Sequence, residues 1–166
     1  EYCYYVTAEN VAGESSPSNT DCATSEESPP STVTFTVTDG STAVGASGGI
    51  TIDLENEDPV AGFQFVLEFD PDIASIESVL GTERTAGFTI SENNGFIVGF
   101  SLSGDVIESG TGPILVLDVL GDTPGVAESC LDDIVVSDPD ADAMNGLSEC
   151  GQFVVNDVIL GCMDES

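Results

Sequence analysis

The chain has 166 residues, 40% of them hydrophobic, enough for one domain with a packed core and too many for wholesale disorder. It carries 31 Asp and Glu against one basic residue, Arg84, and its net charge of −30 excludes a nucleic-acid backbone as partner and disfavours an anionic membrane surface. With no His, Lys or Trp, it lacks an imidazole base, His-ligated zinc or copper, Schiff-base chemistry, Lys-derived isopeptide cross-links and the strongest sugar-stacking side chain.

Residues 1–24 read as two short strands. Tyr2, Tyr4 and Val6 alternate with Cys3, Tyr5 and Thr7, the period of a half-buried strand. Turn chemistry follows from Asn10 to Gly13 and from Ser15 to Ser18, and a second strand is expected near Asp21–Thr24. Two strands bury no core alone, so this hairpin needs a neighbour. Residues 25–31 are polar and carry the pair Pro29-Pro30, an extended linker and a domain boundary.

From Thr32 to Leu160 the pattern is strand after strand. Val33, Phe35 and Val37 alternate with threonines, and Ile50, Ile52 and Leu54 follow a Gly-rich turn. Phe63, Phe65, Leu67 and Phe69 line one face of the next strand, with Gln64 and Glu68 outward. Ile73–Leu80, Phe88–Ile90 and the row Phe96, Val98, Phe100 and Leu102 continue the series, with Phe65, Phe100 and Leu117 expected in the core. Ile114–Leu120 is nearly continuously apolar, as in a central strand. Ile134–Val136 and Phe153–Leu160 complete the set. Asp72–Ser78 comes nearest to a helical period, for one turn. The expected fold is all-β, a jelly-roll or immunoglobulin-like sandwich of about nine strands with an extra N-terminal hairpin.

Five cysteines occupy positions 3, 22, 130, 150 and 162 with no CxxC pair, which argues against a zinc ribbon or a thioredoxin motif. Cys3/Cys22 and Cys130/Cys150 each close a loop of about twenty residues, worth roughly 3 kcal/mol when oxidised. Two local disulfides imply an oxidising compartment, extracellular or at the cell surface. Cys162 is left over and is expected to pair outside this segment. No run of about 18 apolar residues marks a membrane helix, and any export signal is expected to have been removed or to lie elsewhere.

Two stretches carry family resemblances. Tyr2-x-Tyr4-x-Val6-x-Ala8-x-Asn10-x-x-Gly13-x-Ser15-x-Pro17-Ser18 resembles the last two strands of a fibronectin type III domain. That likeness implies a truncated module with Cys3 and Cys22 facing across the strands. The body, residues 32–160, resembles the cohesin family of jelly-roll sandwiches. The likeness rests on Gly62-Phe63-Gln64-Phe65-Val66-Leu67-Glu68-Phe69-Asp70-Pro71, on Ser109-Gly110-Thr111-Gly112-Pro113-Ile114-Leu115 and on Ile134-Val135-Val136-Ser137-Asp138-Pro139. Family cohesins bind dockerins, and relatives serve as adhesion or scaffold modules. Residues 161–166, Gly-Cys-Met-Asp-Glu-Ser, resemble the start of a short acidic Cys-containing repeat. Both ends therefore look severed from a longer multidomain chain.

Three sets of residues are candidates for function. Asp138, Asp140 and Asp142 have the 1, 3, 5 spacing of a calcium loop, with the Met144 carbonyl at position seven and Glu149 at position twelve. Ala143 replaces the turn-forming Gly at position six, so a solvated acidic loop is the alternative. Tyr2, Tyr4 and Val6 form a strand-addition interface if the parent assembles into a fibre. Paired carboxylates invite a glycosidase reading, but no row of aromatics marks a sugar cleft. The sequence thus points to a non-catalytic structural or adhesive module of an extracellular surface protein or filament, joined to neighbouring copies or domains of its parent. Recognition of a dockerin-like partner or of a polysaccharide is the alternative.

Overall fold

The computed structural model describes residues 2–23 and 29–157. Two small pairs of strands come first. β1 (Tyr2–Tyr4) pairs antiparallel with β4 (Asp21–Ala23), and β2 (Glu9–Asn10) pairs with β3 (Gly13–Glu14). Cys3 lies directly opposite Cys22 and is bonded to it. Every described residue of β1–β4 is exposed, and so are Tyr5, Val6 and Val11 between them.

Among the described residues the body holds eleven strands in one curling sheet, two more than expected. They are β5 (Thr32–Val37), β6 (Gly40–Ala43), β7 (Ser47–Asn56), β8 (Gly62–Glu68), β9 (Ala74–Gly81), β10 (Thr89–Asn93), β11 (Phe96–Phe100), β12 (Gly110–Gly121), β13 (Gly125–Ser137), β14 (Ala143–Glu149) and β15 (Gly151–Asn156). The pairing order is β10-β11-β8-β13-β14-β5-β7-β12-β9, with β15 between β13 and β6. β6 and β14 are the additions: Gly40–Ala43 is too short and polar to show a period, and Ala143–Glu149 has few apolar residues.

The sheet folds over on itself into two layers. Alternation in β5 and β8 drives this, because Val33, Phe35 and Val37 face Phe63, Phe65 and Leu67 across the interior. Phe35 meets Phe65 edge-on at 5.4 Å between ring centroids, and Phe63 stacks on Phe65 at 5.6 Å. β12, paired on both sides by β7 and β9, adds Ile114, Leu115, Leu117 and Val119 to the same core. The sandwich reading of the body holds, with Phe65 and Leu117 fully buried.

Two readings change. Asp72–Ser78 is no helix: after a turn in which Ile73 N–H donates to the Asp70 carbonyl, the chain extends as β9. A 3-10 turn, Glu83–Thr85, comes later, capped by Thr82. β11 is inverted relative to expectation. Ile97 and Gly99 face the core, and Phe96, Val98 and Phe100 face outward. The expected strand to Leu160 is described as far as Asn156. Residues 158–166, with Cys162, and residues 24–28, which include the first part of the expected linker at 25–31, lie outside the described residues.

Candidate functional site

The inversion of β11 has a packing cause. The ring of Phe63, on the neighbouring strand and in register with Gly99, fills the interior space that a side chain at Gly99 would take. With that position closed to a side chain, the bulky row of β11 has only the outer surface available. Phe96 is 41% and Phe100 38% exposed, large values for aromatic side chains in the middle of a sheet. Leu102, two residues past Phe100 on the same parity, is 87% exposed.

Neighbouring strands widen this row into a surface. On β8, Val66 stands beside Phe96 and Gln64 beside Val98. On β13, a bulge sets Asp133 and Ile134 against the single residue Phe65, and Asp133 adopts φ 51°. The extra residue shifts the alternation, so Val136 turns inward and Val135 turns outward beside Gln64. On β10, Thr89, Ser91 and Asn93 flank Phe100, Val98 and Phe96. The outer face of β10-β11-β8-β13 therefore has an apolar centre, a small-polar flank and acids such as Glu68 and Asp132 at its rim. That distribution is the anatomy of a protein-docking surface. The outer face of the opposite layer differs: Thr34, Thr36, Thr51, Asp53, Glu55 and Asp118 dominate it, with Val116 and Leu80 as one small apolar pair side by side on β12 and β9.

A tight turn holds Leu102 in place. Ser101 and Ser103 hydroxyls both donate to Asp105 Oδ2, at 2.9 and 2.7 Å, and Asp105 N–H donates back to Ser101 Oγ at 3.0 Å. The hydrogen bonds from Ser103 and then Ser101 hold the Asp105 carboxyl below its ordinary pKa. Below this corner sits Arg84. Its guanidinium donates to the carbonyls of Leu54, Gly112 and Glu108 and to Asn56 Oδ1 at 2.6–3.0 Å. Gly112, with φ 142°, takes a conformation that few side chains tolerate as the chain passes over Arg84. Burial lowers the Arg84 pKa while Asp53 raises it, and the side chain serves as an internal staple.

The acidic set anticipated from spacing is not gathered. Asp138 Oδ1 accepts the N–H groups of Asp140 and Asp142 at 2.9 Å each, closing a short turn that ends at Asp142. Met144 is drawn into β14 opposite Val136 with its side chain in the core. Glu149 lies at the far end of that seven-residue strand, roughly 20 Å along it by strand rise, where it accepts from Thr36 at 3.4 Å. A twelve-residue calcium loop cannot form with a strand running through its second half, so these five residues do not fit one ion. Asp138 and Asp142 instead line an open cleft of about 740 Å³ with Glu55, Glu57 and Asp58. Both expected disulfides, Cys3–Cys22 and Cys130–Cys150, are formed. Tyr2 and Tyr4 lie on β1, and Val6 follows it, with its N–H bonded to Ser18 Oγ.

No family model matches the chain, and no curated protein matches it by sequence. Solved structures do match its fold. CaCohA2 from Clostridium acetobutylicum, in solution, is similar at TM-score 0.62 and 19% identity, over 76% of this chain and 92% of that one. A non-cellulosomal cohesin from the archaeon Archaeoglobus fulgidus gives TM-score 0.64 and 20% identity, over 75% and 91%. The Coh-OlpC-Doc435 cohesin–dockerin complex from Clostridium thermocellum gives 0.66 and 15%, over 81% and 100%. The body has the cohesin fold, and the resemblance read from its Asp70-Pro71 corner and Gly110-x-Gly112 entry holds at the level of fold.

Proposed function

We propose that this chain is a non-catalytic protein-recognition module of an extracellular multidomain protein, and that a dockerin-like partner docks on the outer face of β10-β11-β8-β13. One observation carries the reading: Phe96, Val98, Phe100, Val66 and Val135 converge on one face of the body, and among the described residues that face holds both of the body's exposed aromatic side chains. Burying such residues in a partner supplies the hot-spot energy that rim charges do not. Several solved structures with this fold, Coh-OlpC-Doc435 and Coh-OlpA-Doc918 among them, are cohesins in complex with dockerins, which supports the class of partner. The net charge of −30 adds that the partner carries Lys or Arg around an apolar patch, so association slows as salt rises. Two disulfides support an oxidising exterior.

The test is a displayed library of dockerin modules sorted on the purified chain. Binders that lose about 30-fold or more of their affinity to Phe100→Asp would support the reading. An empty selection, or binders indifferent to that change, would sink it.

A second reading rests on the N-terminal strands. Tyr2, Tyr4, Tyr5, Val6 and Val11 are all exposed on a segment whose strands cannot bury a core alone. Within the domain layout read from the sequence, residues 1–24 are the end of a fibronectin-like module, 25–31 the linker and 32–160 the recognition body. Strand addition by this hairpin to a neighbouring copy would make the parent adhesive or filamentous. Sedimentation velocity of the full chain decides it: concentration-dependent association abolished by Tyr2→Ser with Tyr4→Ser supports addition, and a monomer at all concentrations rejects it.

A further inference from the structure

A second constellation lies away from the docking face, where β13 and β15 run antiparallel. Glu128 is opposite Gln152 and Ser129 opposite Gly151, so the next step in register sets Cys130 beside Cys150. Alternation along β13 puts Glu128 on the same side as Cys130. Among the described residues, Glu128, Cys130 and Cys150 form a group whose carboxylate oxygen and two sulfurs all lie within 4.8 Å of one another. Glu128 and Cys150 are exposed and Cys130 is half-buried, so the bridge is open to solvent. It borders a shallow cavity of about 410 Å³ whose other walls include the carboxylates Glu68 and Asp70.

We propose that two-electron reduction of Cys130–Cys150 converts this corner into a binding site for a thiophilic divalent cation of the zinc class. In that step two molecules of a thiol give two electrons and two protons. The Cys130–Cys150 bond breaks, two protein thiols form, and the donor leaves as its own disulfide. Cation capture then expels both thiol protons and leaves two thiolates and the Glu128 carboxylate as ligands, with water in the fourth tetrahedral position. Register survives loss of the bridge because the ladder and the burial of Ala127, Leu131, Phe153 and Val155 maintain it. Carboxylates at Glu68, Asp70 and Glu128 disfavour free thiolates at this corner, and a dication removes that repulsion. The disulfide therefore keeps the site closed in oxidising surroundings.

The experiment uses the full chain with Cys3→Ser, Cys22→Ser and Cys162→Ser, leaving one bridge. The chain is reduced with a phosphine, which takes oxygen from water as it is oxidised, and titrated without air with Co2+ as the spectroscopic probe. The expected result is saturation at one equivalent, with sulfur-to-cobalt charge-transfer bands, the strong visible bands of tetrahedral Co2+, and displacement by Zn2+. The oxidised chain should give none of these, and Glu128→Gln should weaken Co2+ binding about 10-fold or more, at least the loss caused by removing an outer-shell partner. Absence of sulfur bands at one equivalent overturns the proposal. So does equal binding by the oxidised chain, an unchanged affinity in Glu128→Gln, or loss of the β-sheet circular-dichroism signal on reduction.

Discussion

The Phe63 ring occupies the space that a Cβ on Gly99 would need, since such a carbon would lie 2.9 Å from Phe63 Cε2 and nearer still to Cζ and Cε1. This contact decides which face of β11 meets water. Gly99→Ala should therefore destabilise the fold by about 1–3 kcal/mol through overpacking, seen as a melting point about 3–10 °C lower. A calorimetric midpoint equal to that of the native chain would contradict the packing account.

Arg84 and Asn56 make the corresponding arrangement at the loop end. Asn56, 4% exposed, donates to the carbonyls of Asp58, Ile107 and Glu108 while its own oxygen accepts from Arg84. Arg84→Met removes the donor to the Asn56 oxygen and the guanidinium's bonds to the Leu54, Gly112 and Glu108 carbonyls, and should cost about 2–4 kcal/mol. Arg84→Lys should recover only part, because one ammonium cannot reproduce the guanidinium fork. Urea denaturation of both variants checks this, and a Met variant as stable as the native chain would contradict it.

Asp105 makes the pH prediction. Its folded-state pKa is depressed by the Ser103 and Ser101 hydroxyls. A depressed carboxyl contributes stability that is present above its unfolded value, about 3.9, and is lost as pH falls through the lower folded value. Carbon-detected NMR titration should find Asp105 below the ordinary Asp range, and Ser103→Ala should move it upward. An Asp105 that titrates at the ordinary value in the native chain would contradict the turn that holds Leu102.

Salt and calcium should act differently. Self-repulsion at a net charge of −30 is relieved by screening, so the melting point should rise between low ionic strength and about 1 M salt. A chelator should leave it unchanged at fixed ionic strength, because Asp138 is committed to its own turn and Glu149 is at the far end of β14. A chelator-induced drop would restore an ion to the Asp138–Asp142 turn.

Much of the fold was legible in the sequence because burial imposed a strict period of two. Phe63, Phe65 and Leu67 inward with Gln64 and Glu68 outward is readable without coordinates, and so is the central position of Ile114–Leu120. The exposed apolar face of β11 was not. In Phe96-Ile97-Val98-Gly99-Phe100 both rows are apolar, and choosing the larger one as the core fails when a ring from another strand already fills that space. The signal was there in Gly99, the gap in the opposite row. Val135 was hidden for another reason: a bulge at Asp133 changes parity, and nothing in Asp132-Asp133-Ile134-Val135 announces it. The calcium spacing failed because carboxylates counted along a chain converge only if the chain curls, and Ala143–Glu149 extends.

The central claim is that one sheet face, and not the other, receives a partner. The direct measurement is calorimetric titration of a selected dockerin module into three chains: native, Phe100→Asp and Val116→Asp, the last being a half-exposed apolar side chain on the opposite layer. The account predicts that all three chains melt alike, that Phe100→Asp binds about 30-fold or more weaker, and that Val116→Asp stays within about 3-fold of native. Loss of binding in Val116→Asp with Phe100→Asp unaffected would place the partner on the other sheet and contradict it.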